Sequence, residues 1–224
     1  MILYSFFMSS CSWRVRVALR AKGIDYEYRP INLLKGEQRG EEFLKVNPMG
    51  QVPTFIDGDL MLTQSMAILE YLEELQPEPS LLPSDRSQRA IVRQICEMIN
   101  AGIQPVQSGA YARLEAIGGE GAGLAWGQEA IDKGFTALEG MLAKTAGTHC
   151  VGDELTLADC CLVPQVLNAQ LRFKVDTTKF PIITRLHNHL VKTPEFADTH
   201  PEKMVDCPPG FMAGIAAKNA AEKR

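Results

Sequence analysis

Two rhythms divide the chain. As far as residue 75, short apolar runs alternate with helical stretches; beyond it the strand signals nearly vanish. Residues 1–7 read as a strand. Residues 10–22 read as a helix stopped by Gly23, which stands where a left-handed cap is wanted. Residues 25–32 read as a second strand and 38–46 as a short helix or irregular segment. Asp57-Gly58 predicts a hairpin joining strands over 52–56 and 59–62. Within 64–75, Ile68, Leu72 and Leu75 recur at helical spacing with Leu69 beside them, so this segment predicts an amphipathic helix.

The order β-α-β-α-β-β-α is that of an α/β, thioredoxin-like domain, expected over residues 1–76. Three prolines, Pro77, Pro79 and Pro83, then mark a linker over 77–88. An all-α domain is expected over 89–211. Its helices are read over 86–115, bent near Gly102 and Pro105, then over 124–146, 156–173 and 180–192. A further turn is expected over 195–200. Thr156 and Asp159 have the spacing of a capping box, a structural feature without chemistry. Residues 212–224 are expected to fray.

Composition narrows the function. The net charge of −4 and the lack of a basic stripe exclude nucleic acid as a natural partner. No apolar run approaches the roughly 18 residues of a membrane span, and the apolar start lacks a basic leader. The cysteines, Cys11, Cys96, Cys150, Cys160, Cys161 and Cys207, form no C-x-x-C, and no His pair has metal-ligand spacing. No metal is expected, and reduced thiols in a cytoplasmic protein are.

Chemistry concentrates at Ser9-Ser10-Cys11-Ser12-Trp13-Arg14-Val15-Arg16, where a strand hands over to a helix. The first N–H groups of that helix lack intrahelical partners, and the dipole favours an anion there. A free thiol has a pKa near 8.5, so lowering it by two units takes about 2.7 kcal/mol of selective thiolate stabilisation. A hydroxyl donor and a helix terminus are suited to supply it. By local signals alone, Ser9 and Ser10 serve equally well as helix caps.

Two later segments extend the pattern. Val52-Pro53 leads into a strand. A cis bond there would leave the Val52 backbone able to pair with an extended peptide, whereas a trans bond would be an ordinary strand start; the residues leave both open. Gln64-Ser65 opens a helix, a place suited either to a carboxylate or to simple capping by Ser65.

The run Ser-Ser-Cys-Ser-Trp-Arg-Val-Arg-Val-Ala-Leu resembles the signature of the zeta-class glutathione transferases, also called maleylacetoacetate isomerases. Segments 101–107, 151–159, 163–168 and 172–176 resemble that class as well, so the likeness covers roughly residues 1–200. It implies the glutathione transferase fold, glutathione as coenzyme and a homodimer. Ser10 would donate to the glutathione sulfur, with Ser9 and Cys11 beside it. Val52 and Pro53 would meet the cysteinyl backbone, Gln64 and Ser65 the γ-glutamyl end, and Gln38 the glycyl end; Gln104 would also contact the cofactor. Arg14 would face the second-substrate pocket, with Ser108, Gly109 and Ala110 lining it, and Arg172 would hold substrate carboxylates. The implied reaction is the isomerisation of maleylacetoacetate, a dicarboxylate-type substrate, to fumarylacetoacetate in tyrosine and phenylalanine catabolism, with side activity on α-haloacids. Three alternatives stay open: general conjugation or dehalogenation, a thiol reductase using Cys11, and a non-catalytic scaffold.

Overall fold

A computed structural model of the chain describes residues 1–221. Residues 222–224 of the expected frayed tail lie outside the described residues. The chain packs as two units, Met1–Leu81 with Thr193–Met212, and Leu82–Lys192 with Ala213–Arg224.

The first unit is built on a four-stranded sheet in the order β2-β1-β3-β4. The strands are β1 (Ile2–Ser5), β2 (Glu27–Pro30), β3 (Thr54–Asp57) and β4 (Leu60–Thr63). β1 runs parallel to β2 and antiparallel to β3, and β3 is antiparallel to β4. Helix α1 (Ser10–Ala21) crosses between β1 and β2, and α3 (Ser65–Leu75) follows β4. A 3-10 turn (Glu37–Arg39) and the short α2 (Glu41–Val46) fill the connection from β2 to β3. The β-α-β-α-β-β-α order expected from the sequence is therefore present.

Local chemistry explains the boundaries. Gly23 has φ of +64°, so α1 stops where a left-handed residue is cheap. Asp57 pairs with Leu60 across a two-residue turn, with Gly58 at φ +56°. Leu3, Phe55, Val15, Val17, Leu19, Ile68, Leu69 and Leu72 are wholly buried between sheet and helices. Phe6 and Phe7 leave β1 early because they join Phe43 and Val52 in a satellite cluster at the end of the sheet.

The second unit is helical. It contains α4 (Arg86–Glu97), α5 (Gln104–Gly109), α6 (Tyr111–Gly118), α7 (Ala122–Thr145), α8 (Leu157–Leu171) and α9 (Pro181–Leu190). The bend expected near Gly102 is a π-helical turn (Met98–Ile103) that ends where Pro105, lacking an N–H, enters the first turn of α5. Ile131, Phe135, Leu138 and Leu142 give α7 its buried stripe. In α8 residues 157–166 are buried all round, including Cys160 and Cys161, so this helix is the centre of the core. Asp159 accepts from the Thr156 N–H and hydroxyl, both at 2.8 Å, and from the Cys150 N–H at 2.8 Å, which realises the expected cap. None of the six cysteines is in a disulfide, and burial pushes the Cys150 thiol well up.

Two expectations fail. The segment Thr193–Met212, with α10 (Pro194–Ala197), packs with the first unit although the sequence pattern places it in the helical domain. Long-range pairs hold it: Trp13 donates to Thr199 Oγ1 at 2.9 Å, and the Arg20 guanidinium meets Asp198 at 2.8 Å. The expected fraying after 211 is replaced by helix α11 (Phe211–Ala221), whose first residue stacks edge-on against Phe7 at 5.1 Å.

Candidate functional site

Sheet register gathers the three motifs. Tyr4 lies opposite Thr54, and Thr54 opposite Thr63. The segments just beyond these positions, Ser9-Ser10 after β1, Val52-Pro53 before β3 and Gln64-Ser65 after β4, thus leave the sheet at one end of its strands. A direct contact ties two of them, for Arg14 Nη1 on α1 donates to Ser65 Oγ at 3.1 Å.

At the start of α1, Ser9 is the N-cap, and its hydroxyl accepts the Ser12 N–H at 3.2 Å. Its side chain is thus occupied with capping. Ser10 follows in the first turn with 7% exposure, and among the described residues its hydroxyl makes no hydrogen bond. Cys11 beside it is half-buried. A hydroxyl aimed by a capped helix N-terminus can donate to an anion, and the helix adds its partial positive charge.

The Val52–Pro53 bond is cis. The β1–β3 ladder begins at Thr54, so the Val52 amide and carbonyl take no part in it and suit an extended peptide added to the edge. Gly50, at φ +59°, lets the Gln38 carbonyl approach to 2.8 Å of where a Cβ would stand. That contact brings the Gln38 turn against the same corner, and Gln38 Oε1 is buried without a hydrogen-bond partner.

Gln64 is exposed and has φ 70° and ψ 114°, a backbone conformation that side-chain-bearing residues rarely adopt. Such strain, of order 1–3 kcal/mol, persists only where the surroundings impose it, and it clusters at ligand clamps. Here it turns the chain so that α3 begins at Ser65, which is 4% exposed. The α3 N-terminus carries no side-chain cap, which suits it to a carboxylate.

Arg14 departs from expectation. Its side chain is wholly buried, and its Nη1 is turned to Ser65.

In the second unit, Gln104 opens α5, Ser108 and Gly109 close it, and Ala110 is the hinge into α6. The Ser108 hydroxyl is buried without a hydrogen-bond partner. A Cβ added at Gly109 would meet open space. Gln107 is tied to α8 by a buried hydrogen bond that Gln165 Nε2 donates to its Oε1 at 2.8 Å. Arg172 is exposed, and its guanidinium lies over the rings of Tyr111 and Phe173, 5.5 Å and 5.2 Å from their centroids. Partial burial between the rings lowers its pKa, opposed by Tyr111. It makes no ion pair among the described residues, so its donors are available to a carboxylate. The sequence reading missed Tyr111 and the Gln107–Gln165 pair, because each contact joins residues distant in the chain.

Comparison with known proteins completes the picture. Residues 1–74 match the glutathione S-transferase N-terminal domain and residues 126–194 the C-terminal domain. Over 210 residues the chain is 52% identical to maleylacetoacetate isomerase of Mus musculus, spanning 92% of this chain and 95% of that protein. The holo structure of maleylpyruvate isomerase, a bacterial zeta-class glutathione S-transferase, superimposes with a TM-score of 0.88 at 37% identity, covering 93% of this chain and all (100%) of that one. The structure of maleylacetoacetate isomerase from Anaeromyxobacter dehalogenans 2CP-1, with dicarboxyethyl glutathione and citrate in its active site, gives a TM-score of 0.83 at 41% identity, covering 93% and 94%. With both family domains matched, half of all residues identical to a zeta-class isomerase and the Ser-Ser-Cys motif at the mouth of a thioredoxin-like sheet, this chain belongs to the zeta class of the glutathione S-transferases, the class of the maleylacetoacetate isomerases.

Proposed function

We propose that the protein is a glutathione-dependent maleylacetoacetate isomerase, converting maleylacetoacetate to fumarylacetoacetate. The observation that carries this reading is the 52% identity to the mouse enzyme over nearly the whole of both chains. The first unit fits the cofactor: a Val52 backbone outside the β1–β3 ladder, an uncapped helix terminus at Ser65, a partnerless Gln38 Oε1 and an uncommitted Ser10 hydroxyl suit a short peptide with a thiol in its middle and carboxylates at its ends.

When bound, glutathione supplies a sulfur nucleophile that can add to and leave the substrate's activated double bond, so that the bond rotates and the cofactor is returned unchanged. The protein's part is to hold and polarise. Ser10 donates to the sulfur and, with the α1 N-terminus, favours its ionised form. Val52 pairs with the peptide backbone beside Pro53. Gln64, Ser65 and the α3 N-terminus hold the γ-glutamyl carboxylate, and Gln38 the glycyl end. Gln104 is assigned to the cofactor as well. Ser9 keeps Ser10 in place as the helix cap, and Cys11 stands beside it. Arg172 clamps a carboxylate of the substrate, and Ser108, Gly109 and Ala110 line its path. Fixed orientation of this kind accounts for much of such a rate enhancement. Dehalogenation of α-haloacids would use the same activated sulfur.

A homodimer and a cytoplasmic setting belong to the same reading. The free cysteines accord with a reducing compartment, and among the described residues no helix is long and apolar enough to cross a membrane.

The test is conversion of maleylacetoacetate with and without glutathione, by the wild type and by Ser10→Ala. Strict glutathione dependence and a loss of about 10²-fold or more in the variant are expected. Turnover without glutathione, or an unimpaired variant, would overturn the reading.

A further inference from the structure

The loop that delivers Ser10 is held by Arg16 and Asp206. Arg16, two turns along α1 from Ser9, is wholly buried and forms no ion pair among the described residues. Its donors go to the Ser5 hydroxyl at 3.2 Å and to main-chain carbonyls: Phe6 at 3.3 Å, Phe7 at 3.2 Å and Thr199 at 3.4 Å. The Phe6 carbonyl also accepts the Ser9 N–H at 3.0 Å, so Arg16 and the helix cap share one anchor. From the other side Asp206 accepts the Phe7 N–H at 3.0 Å and the Tyr28 hydroxyl at 2.8 Å. Residues 6 and 7 are thus gripped at both carbonyls and at one N–H. The gripping groups come from α1 and from the returning segment Thr193–Met212 of the same unit.

Stability alone is a poor explanation for this arrangement. Burial disfavours the Arg16 charge, opposed by Tyr28, Tyr26 and Asp206, and an uncharged apolar side chain would pack a core at lower cost. A planar guanidinium does what an apolar group cannot: it presents several donors at fixed angles to carbonyls facing different ways. The residues so fixed are those that lead into the α1 cap.

We propose that Arg16 and Asp206 are positioning residues for Ser10, setting the path of residues 6–8 and hence the point from which the hydroxyl is aimed. The inference rests on the reading of Ser10 as the sulfur's donor. It makes the returning segment part of the catalytic apparatus although it touches none of the reacting atoms, and a displacement of about 1 Å at such a donor costs about 10²-fold in rate.

The test titrates the thiolate absorbance of enzyme-bound glutathione against pH in the wild type, Arg16→Lys, Asp206→Asn and Ser10→Ala, with binding measured by calorimetry. Asp206 is only half-buried, so its variant remains folded if Arg16→Lys does not. Both positioning variants are expected to titrate about half a pH unit or more above the wild type, the size of effect a weakened hydrogen bond produces. Glutathione affinity should stay within about threefold, and kcat should fall about tenfold with little change in KM. Arg20→Ala, which cuts the exposed Arg20–Asp198 pair on the same segment, should titrate like the wild type. If Ser10→Ala shifts the titration while Arg16→Lys and Asp206→Asn do not, the inference fails and the role of Ser10 stands. If Ser10→Ala itself leaves the titration unmoved, the reading of Ser10 fails and takes the inference with it.

Discussion

Arg14 and Ser65 lie 51 residues apart in sequence, yet a 3.1 Å hydrogen bond from the guanidinium to the hydroxyl joins the second turn of α1 to the first turn of α3. The bond orients Ser65 from within the protein, so Arg14 should act on cofactor binding and not on the second substrate. Arg14→Lys keeps the charge but loses the planar fork. It should raise the Kd for glutathione about tenfold, as expected for one charge-assisted bond. At saturating glutathione the KM for maleylacetoacetate should stay within about twofold. Calorimetry and steady-state kinetics separate the two effects.

Arg172 should behave in the opposite way. Its guanidinium is held over Tyr111 and Phe173 with its donors available. Arg172→Ala should raise the substrate KM by about 10–100-fold, the worth of a charge-assisted pair, while glutathione affinity is unchanged. Arg172→Lys should recover little, since an ammonium neither stacks nor binds a carboxylate bidentately. Initial rates across a substrate series provide the check.

Glu73 makes stability depend on acid. Burial raises its carboxyl pKa, but bonds from Lys22, Ser80 and the Leu81 N–H outweigh that and hold it below the ordinary 4.5. Lys22, itself buried, contacts Glu73 at 2.7 Å and donates to the Gln76 and Pro79 carbonyls. Because the folded pKa lies below the unfolded one, the stabilisation is full above the ordinary glutamate value. It is lost as pH falls through the folded value. Melting temperatures from pH 7 down to pH 3 should show wild type and Glu73→Gln converging at the acid end. A constant gap would refute the assignment.

Gly127 permits a close crossing in the helical unit. A Cβ there would overlap the Phe173 ring and approach the Gln107 carbonyl to 3.3 Å. Gly127→Ala gains helix propensity but forces that ring aside, so a net loss of about 1–3 kcal/mol is expected by denaturant titration. Gly140, where a Cβ meets open space, should gain stability by about 0.5–1 kcal/mol on the same change.

The local features were readable in the chain: Gly23 stopping α1, the hairpin at Asp57-Gly58, the Thr156–Asp159 cap and the stripe of α3, which is buried at Ile68, Leu69 and Leu72 although Leu75 at the helix end is exposed. Each depends on residues within a turn or two of one another, and propensity, periodicity and capping report that range. Resemblance supplied the identities of Ser10, Val52, Gln64 and Ser65. Only the fold decided where they lie together, since strand register places three segments spread over more than fifty residues at one end of the sheet. Ser9 became a cap and Ser10 the uncommitted hydroxyl through a single bond to Ser12 that the sequence leaves undetermined. The arginines were illegible for a related reason. A charge in a helix reads as exposed, but Arg14 and Arg16 are wholly buried: Arg14 Nη1 donates to a hydroxyl on another helix, and the Arg16 donors go to a hydroxyl and main-chain carbonyls elsewhere in the fold. The grip of Asp206 on Phe7 spans 199 residues, and no local pattern records an interaction whose partner only the completed packing brings near.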